Sequence, residues 1–180
     1  MWITETSESS KKEETIKYTK EELAEFGEIL FMNKILLMEY SNKPRDNGDG
    51  IIISEYEAHT LLLIKHSPNI TSIELARKLG RTKGTVSPLI FKLLSAGYIT
   101  KEPNSKNRRE HLLNVTDLGE KVCSMHHMLD AEIMRSTLEE MLKYCTIEEF
   151  EIFMKVVRIR NNIYTNARSN TESESLTLGC

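Results

Sequence analysis

The stretch Thr71-Ser-Ile-Glu-Leu-Ala-Arg-Lys-Leu-Gly80, followed after Arg81-Thr82 by Lys83-Gly-Thr-Val-Ser-Pro-Leu-Ile90, decides how this chain folds. Thr71 and Glu74 form a capping box: the hydroxyl accepts from the third helical N–H, and the carboxylate reaches back to the N–H of the cap residue. Ile73, Leu75 and Leu79 supply an apolar face, and Gly80 tolerates the left-handed backbone of a helix end. The next helix, from Lys83, adds Ile90 and Leu93 to that face. Small Ala76 where the two helices cross, Gly80 in the turn and Val86 to lock the crossing together describe a helix-turn-helix.

After Gly97 the apolar period changes from that of a helix to that of a strand. Tyr98 to Glu102 and Glu110 to Val115 read as two short strands joined by Pro103-Asn-Ser-Lys-Asn-Arg-Arg109. Lys106, Arg108 and Arg109 then sit at the tip of a hairpin, a wing, where guanidinium groups reach phosphates or a narrow minor groove. Residues 77–109 carry nine lysines and arginines against the single acid Glu102, in a chain of net charge −3. One region is basic and the remainder acidic, which fits a localised nucleic-acid face and not a nonspecific coat. The outward positions of the second helix are Thr82, Lys83, Gly84, Thr85, Ser87, Pro88 and Lys92. With the three wing residues they form the expected DNA contacts: small hydroxyls for base edges or phosphates, lysines for backbone charge. A solvated basic turn is the bland alternative, and the helix pair, glycine turn and basic hairpin in this order outweigh it.

Three further capping boxes, Thr19 with Glu22, Ser54 with Glu57 and Thr146 with Glu149, mark helix starts outside this unit. The expected helices run from about Lys20 to Tyr40, Glu55 to His66, Ser72 to Leu79, Lys83 to Ala96, after Thr116 to about Tyr144, and from the Thr146 cap to about Ala167. Lys43 to Gly50 is turn chemistry, with one short strand at Ile51 to Ile53; its aspartates lack the spacing and terminal Glu of a calcium loop. The fold class is mainly α with a small β-hairpin wing: a winged helix-turn-helix with N- and C-terminal dimerisation helices. The expected domain spans 18–167, with the helix-turn-helix at 71–97, the wing at 98–115 and dimerisation helices at 18–42 and 117–167. Residues 1–17 and 168–180 are polar and read as disordered tails.

Composition bounds the class. The chain has 180 residues, 39% hydrophobic and 28% charged, enough for one medium domain and ordinary for a cytoplasmic protein. The longest apolar runs are too short for a bilayer, so no membrane association is expected. Cys123, Cys145 and Cys180 form no spaced framework, which fits a reducing compartment. No Gly-rich phosphate loop, His-Glu-x-x-His, Gly-x-Ser-x-Gly or Cys-x-x-Cys motif is present, so no enzymatic activity is expected.

The run 71–80, the run 83–90, Leu94-Ser-Ala-Gly-Tyr-Ile99, Arg108-Arg109 and Val115-Thr-Asp-Leu-Gly119 resemble the MarR family of transcriptional regulators, over about 23–163. The resemblance implies a homodimer built by the first, fifth and sixth helices, whose winged units each read half of a pseudo-palindromic operator. It implies a repressor released by a small-molecule or metal effector. The family wing usually carries aspartates that orient its arginine; Asn104 and Asn107 stand in their places, with weaker acceptor strength. Pro88 removes a helical hydrogen bond to Gly84, and its ring is placed to touch a thymine methyl.

An organic effector would enter a cleft bordered by Met32, Leu36, His59 and Leu63, on the resemblance alone. A metal effector has residues of its own: Cys123, His126, His127 and Asp130 lie at i, i+3, i+4 and i+7 of one helix, and zinc accepts such S, N and O ligands. The placement of His59, His126 and Asp130 is similar to zinc-responsive members of the family, so zinc is the one candidate cofactor and none is required. Solvated or core histidines are the alternative. A zinc-responsive regulator and a winged-helix protein-interaction module without specific DNA binding stand as alternative functions.

Overall fold

The computed structural model describes residues 16–107 and 109–177, with side chains through 167. Eleven elements follow in order: α1 Lys20–Asn42, β1 Pro44–Asp46, β2 Ile52–Ser54, α2 Glu55–Lys65, β3 Ile70–Thr71, α3 Ser72–Leu79, α4 Lys83–Ser95, β4 Ile99–Pro103, β5 His111–Val115, α5 Asp117–Met141 and α6 Ile147–Thr177. All four capping boxes form, each with hydroxyl and carboxylate both engaged. Thr82 and Thr116 cap α4 and α5 by accepting from Thr85 N–H and Gly119 N–H. These local bonds satisfy N–H groups that helix geometry leaves orphaned, which is why the helix starts were legible.

The core lies in the winged unit and the first turns of α5. Leu61 and Ile64 of α2, Leu75 and Ala76 of α3, Val86, Ile90 and Leu93 of α4, Ile99, Leu113, Val122 and Cys123 form one buried cluster. Ala76 and Val86 sit at the α3–α4 crossing, and Gly80 takes φ 66°, closing the turn as expected. Ile73 departs from its expected place behind the helices. It is half-exposed, because it occupies the second position of α3 and faces the mouth of a cleft bordered by α4 and the wing.

Two strands escaped the sequence reading. β1 pairs antiparallel with β2, Arg45 opposite Ile53, around a turn in which Gly48, Asp49 and Gly50 all have positive φ. β3 adds two residues to the wing sheet, giving the order β3-β5-β4 with Ile70 opposite Leu113 and Ile99 opposite Val115. Strands of two or three residues are too short to show a period. A reciprocal pair, Asn69 N–H to Asn114 Oδ1 (2.8 Å) and Asn114 Nδ2 to Asn69 Oδ1 (2.9 Å), anchors β3 to β5.

The long helices behave differently. No residue of α1 is buried, and none is buried among the described side chains of α6. Leu30, Phe31, Leu37, Phe153, Val156 and Ile163 are all exposed. The sequence reading has the last helix fading near Ala167; the backbone stays helical to Thr177. Residues 147–177 contain neither Gly nor Pro, and each residue added to an existing helix gains a bond without a new nucleus. Of the expected disordered tails 1–17 and 168–180, residues 1–15 and 178–180 lie outside the described residues, while the backbone of 168–177 is helical and not the expected tail.

Candidate nucleic-acid interface

Helix α4 presents the expected residues on its open side. Thr82, Lys83, Gly84, Thr85, Ser87 and Pro88 are exposed, while Val86, Ile90 and Leu93 turn inward. Two hydroxyls at the N-terminus are already organised, Thr82 Oγ1 lying 2.9 Å from Thr85 Oγ1. Ser87 Oγ donates to Lys83 O at 2.9 Å, one residue ahead of the bond that Pro88 removes, and α4 continues through Pro88 without a break. The helix N-terminus and the Lys83 ammonium together favour an anion here.

Lys92 points elsewhere. Its ammonium forms an ion pair with Glu57, a mostly buried carboxylate that also closes the α2 capping box through Ser54 N–H. Lys92 therefore ties α4 to the start of α2. Burial alone pushes Glu57 up, but the Lys92 ammonium and the Ser54 N–H and hydroxyl outweigh it and hold the carboxyl below the ordinary glutamate value. A depressed carboxylate contributes stability that is complete above the unfolded pKa and is lost as pH falls through the lower folded value. Lys92→Met is accordingly expected to move the acid-unfolding midpoint to higher pH, read by circular dichroism. An unchanged midpoint would show that the pair contributes nothing in solution.

The wing turn is built by the two asparagines. Asn104 Oδ1 accepts from Lys106 N–H at 3.0 Å, and Asn107 Oδ1 accepts from Arg109 N–H at 3.2 Å. Backbone bonds from Asn104 N–H to Glu110 O and from Glu110 N–H to Asn107 O close the loop. The asparagines thus serve as turn formers that aim the backbone, not as acceptors for a guanidinium. Lys106 and Arg109 are exposed, and neither is in an ion pair among the described residues. Arg108 lies outside the described residues.

Behind α4 a second constellation forms between α2 and α5. His59 Nε2 and His126 Nε2 each lie 3.2 Å from Asp130 Oδ2, and the ligand atoms of the three residues fall within 4.8 Å of one another. Asn47, buried at the end of the β1–β2 hairpin, donates from Nδ2 to the Arg45 and Ile53 carbonyls. That fixes its amide, so Oδ1 faces His126 Nδ1 at 2.8 Å and must be the acceptor. The His126 proton therefore sits on Nδ1. In the neutral ring Nε2 then carries the lone pair, buried and without a hydrogen bond among the described residues. Burial, chiefly, and then the His59 ring hold His126 below the ordinary imidazole value despite the Asp130 carboxylate.

Two of the expected metal ligands are not brought in. Cys123 is buried in the core one turn before His126, and burial pushes its thiol up to about 11, so it stays protonated and packs as an apolar group. His127 is exposed, on another side of α5 from its buried neighbour. Neighbours in sequence on a helix are about 100° apart, so the i, i+4 pair His126 and Asp130 shares a side that His127 misses.

None of Met32, Leu36, His59 and Leu63 lines the cleft of about 870 Å³ between α1, α6 and the α3–α4 turn. Leu30, Lys34 and Leu37 face that cleft with Tyr56, Arg81, Arg160 and Tyr164. Met32 and Leu36 lie on the opposite side of α1, both exposed; Leu63 packs against the core.

Comparison with known proteins agrees with this architecture. Residues 53–111 match the family model described as MarR family. The uncharacterized HTH-type transcriptional regulator YhjH of Bacillus subtilis (strain 168) is 31% identical over 81 residues, 45% of this chain and 46% of that protein. The chain thus spans about half the length of that relative. The multiple antibiotic resistance protein MarR of Escherichia coli (strain K12) is 23% identical over 135 residues, 73% of this chain and 94% of that protein. The crystal structure of Streptococcus pneumoniae FabT in complex with DNA has the same fold, with a TM-score of 0.56, 23% identity, and coverage of 83% of this chain and 99% of that one. The chain is thus similar to the MarR family over residues 53–111 and has the winged-helix fold of the FabT structure.

Proposed function

We propose that this protein is a homodimeric repressor that reads a pseudo-palindromic operator through α4 and the wing. The observation that carries the reading is the exposed polar and cationic face of α4 beside the cationic wing, set on a buried helix-turn-helix core. FabT and a mutant of E. coli MarR have been solved with DNA, which supports the same mode here. The apolar residues left open along α1 and α6 support self-association, since monomers rarely expose so much contiguous apolar surface. A dimer seated on a promoter excludes other proteins from it, hence repression. Thr82, Lys83, Gly84, Thr85, Ser87 and Pro88 would contact the major groove, Lys106, Arg108 and Arg109 the flanking backbone or minor groove, with Lys92 shared with Glu57.

The test is binding of the full chain to a duplex selected from a random-sequence pool, across salt. Affinity is expected to fall steeply with salt, and Lys83→Ala and Arg109→Ala are each expected to reduce the log–log slope by about 1. Sedimentation should give twice the 20.8 kDa chain mass. Salt-insensitive binding without sequence preference would favour a protein-interaction module instead.

A specific observation favours a second, compatible reading: a zinc-responsive regulator. His126 Nε2 is a neutral, buried lone pair beside a carboxylate oxygen and a second imidazole, an arrangement that a cation relieves. Two nitrogens and one oxygen suit Zn²⁺ with a fourth position open, and Asn47 supplies the orienting bond that metal-ligating histidines ordinarily have. Because His59 sits on α2 while His126 and Asp130 sit on α5, a bound ion would pin the winged unit to the arm leading to the dimer helices. It would alter operator affinity by restricting half-site separation.

A further inference from the structure

Phe91 lies on α4, is 71% exposed and is neither in the buried core cluster nor among the apolar residues packed against it. One helical turn separates it from Ser87 and Pro88, so Gly84, Pro88 and Phe91, at i, i+4 and i+7, run along the outermost line of the helix. Beside it opens a cleft of about 420 Å³ with an apolar floor, whose rim carries Lys83, Lys101 and Arg109. Three cations against the single carboxylate of Glu110, beside an exposed aromatic ring, make a seat for a phosphate strand whose bases face the ring.

We propose that Phe91 is a specificity-determining residue that reads a thymine 5-methyl group in the major groove, with Pro88 covering a second methyl. The inference rests on the assignment of α4 as the DNA-reading helix. The thymine methyl is the one apolar feature of the major-groove edge, and aromatic or aliphatic contact is how proteins recognise it. Residues three apart on a helix are about 5–6 Å apart at Cβ, and base steps rise about 3.4 Å per strand. The two side chains therefore reach thymines one or two steps apart. Lys83 and Arg109 would hold the backbone on either side and fix the register.

The experiment uses the selected duplex with each thymine replaced singly by deoxyuridine, which removes the methyl and nothing else. The wild-type chain is expected to lose affinity about fourfold at one or two positions per half-site, the effect of one methyl group withdrawn from an apolar contact. Phe91→Ala should bind thymine and deoxyuridine alike at one of those positions, while Phe91→Leu keeps part of the discrimination. Since Phe91 is exposed, Phe91→Ala should melt with the wild type. A flat deoxyuridine scan on a tightly bound duplex would overturn the proposal and leave the regulator reading standing. So would a Phe91→Ala chain that retains the wild-type scan, or one weakened equally on every sequence, which marks a sugar contact. Failure to select any preferred duplex would instead overturn the assignment of α4, and the methyl reading with it.

Discussion

His126→Ala is expected to abolish zinc binding, lowering affinity by more than about 100-fold, because loss of an orienting partner alone costs about 10- to 100-fold. Titration against a chromophoric zinc chelator measures it. His59→Ala should have a comparable effect, and since His59 is exposed its replacement leaves the fold intact and separates lost ligation from lost structure. Asn47→Ala should fall between these variants and the wild type, for it releases the His126 ring from the tautomer that presents Nε2. His127→Ala and Cys123→Ala should bind as the wild type does, since the cluster includes neither residue. A wild-type chain without measurable zinc affinity, or a His126→Ala chain that retains it, would remove the zinc reading while leaving the DNA-binding one untouched.

Gly119→Ala should lower the melting temperature, by up to about 8 °C. Gly119 lies in the first turn of α5, where an added Cβ would come within 2.1 Å of Tyr98 O and 2.6 Å of Val115 Cγ1. The Tyr98 carbonyl is held in turn by Thr116 N–H at 3.0 Å, and Thr116 Oγ1 donates to Gly97 O at 2.7 Å. The obstacle is thus backbone pinned on both sides, and α5 must move away from the wing. Overpacking of this kind costs about 1–3 kcal/mol or more, against a gain of about 1 kcal/mol in helix propensity. A loss of 1 kcal/mol lowers the melting temperature of a chain this size by about 2–4 °C. Gly84→Ala is the control: its Cβ would meet only Thr82 Oγ1, at 3.9 Å, so the propensity gain should prevail and the melting temperature rise slightly. Equal melting of Gly119→Ala and wild type would show that α5 and the wing are not tightly packed at this point.

The joint at Gly119 also bears on regulation. Helix α5 meets the wing at its N-terminus, carries His126 and Asp130 two turns further on, and then leaves the core. A ligand that shifts α5 against α2 would therefore act on the wing through the Gly119–Tyr98 contact. Zinc would do so by drawing His59 to the α5 pair, whereas an organic occupant of the α1–α6 cleft would instead meet Arg81 and Thr85 of the α3–α4 unit directly. The two routes enter from different sides, so His59→Ala should block only the first.

By itself the sequence determined what short-range chemistry controls. The hydroxyl-and-glutamate caps at Thr19, Ser54, Thr71 and Thr146 place helix starts, Gly80 and Gly97 place helix ends, and the apolar spacing of Ala76, Val86 and Leu93 marks the crossing of α3 with α4. Each of these depends on residues a few positions apart, and so does the cationic composition of the wing. Tertiary structure decided whatever joins distant segments. Asn47 meets His126 across 79 residues, Glu57 claims the Lys92 ammonium, and β3 joins β5 through Asn69 and Asn114. Ligand types alone could not separate Cys123 and His127 from His59, His126 and Asp130, because helical rotation and burial choose which donor points where. Phe91 was hidden for the opposite reason. An apolar residue at helical spacing reads as core until the packing leaves it outside.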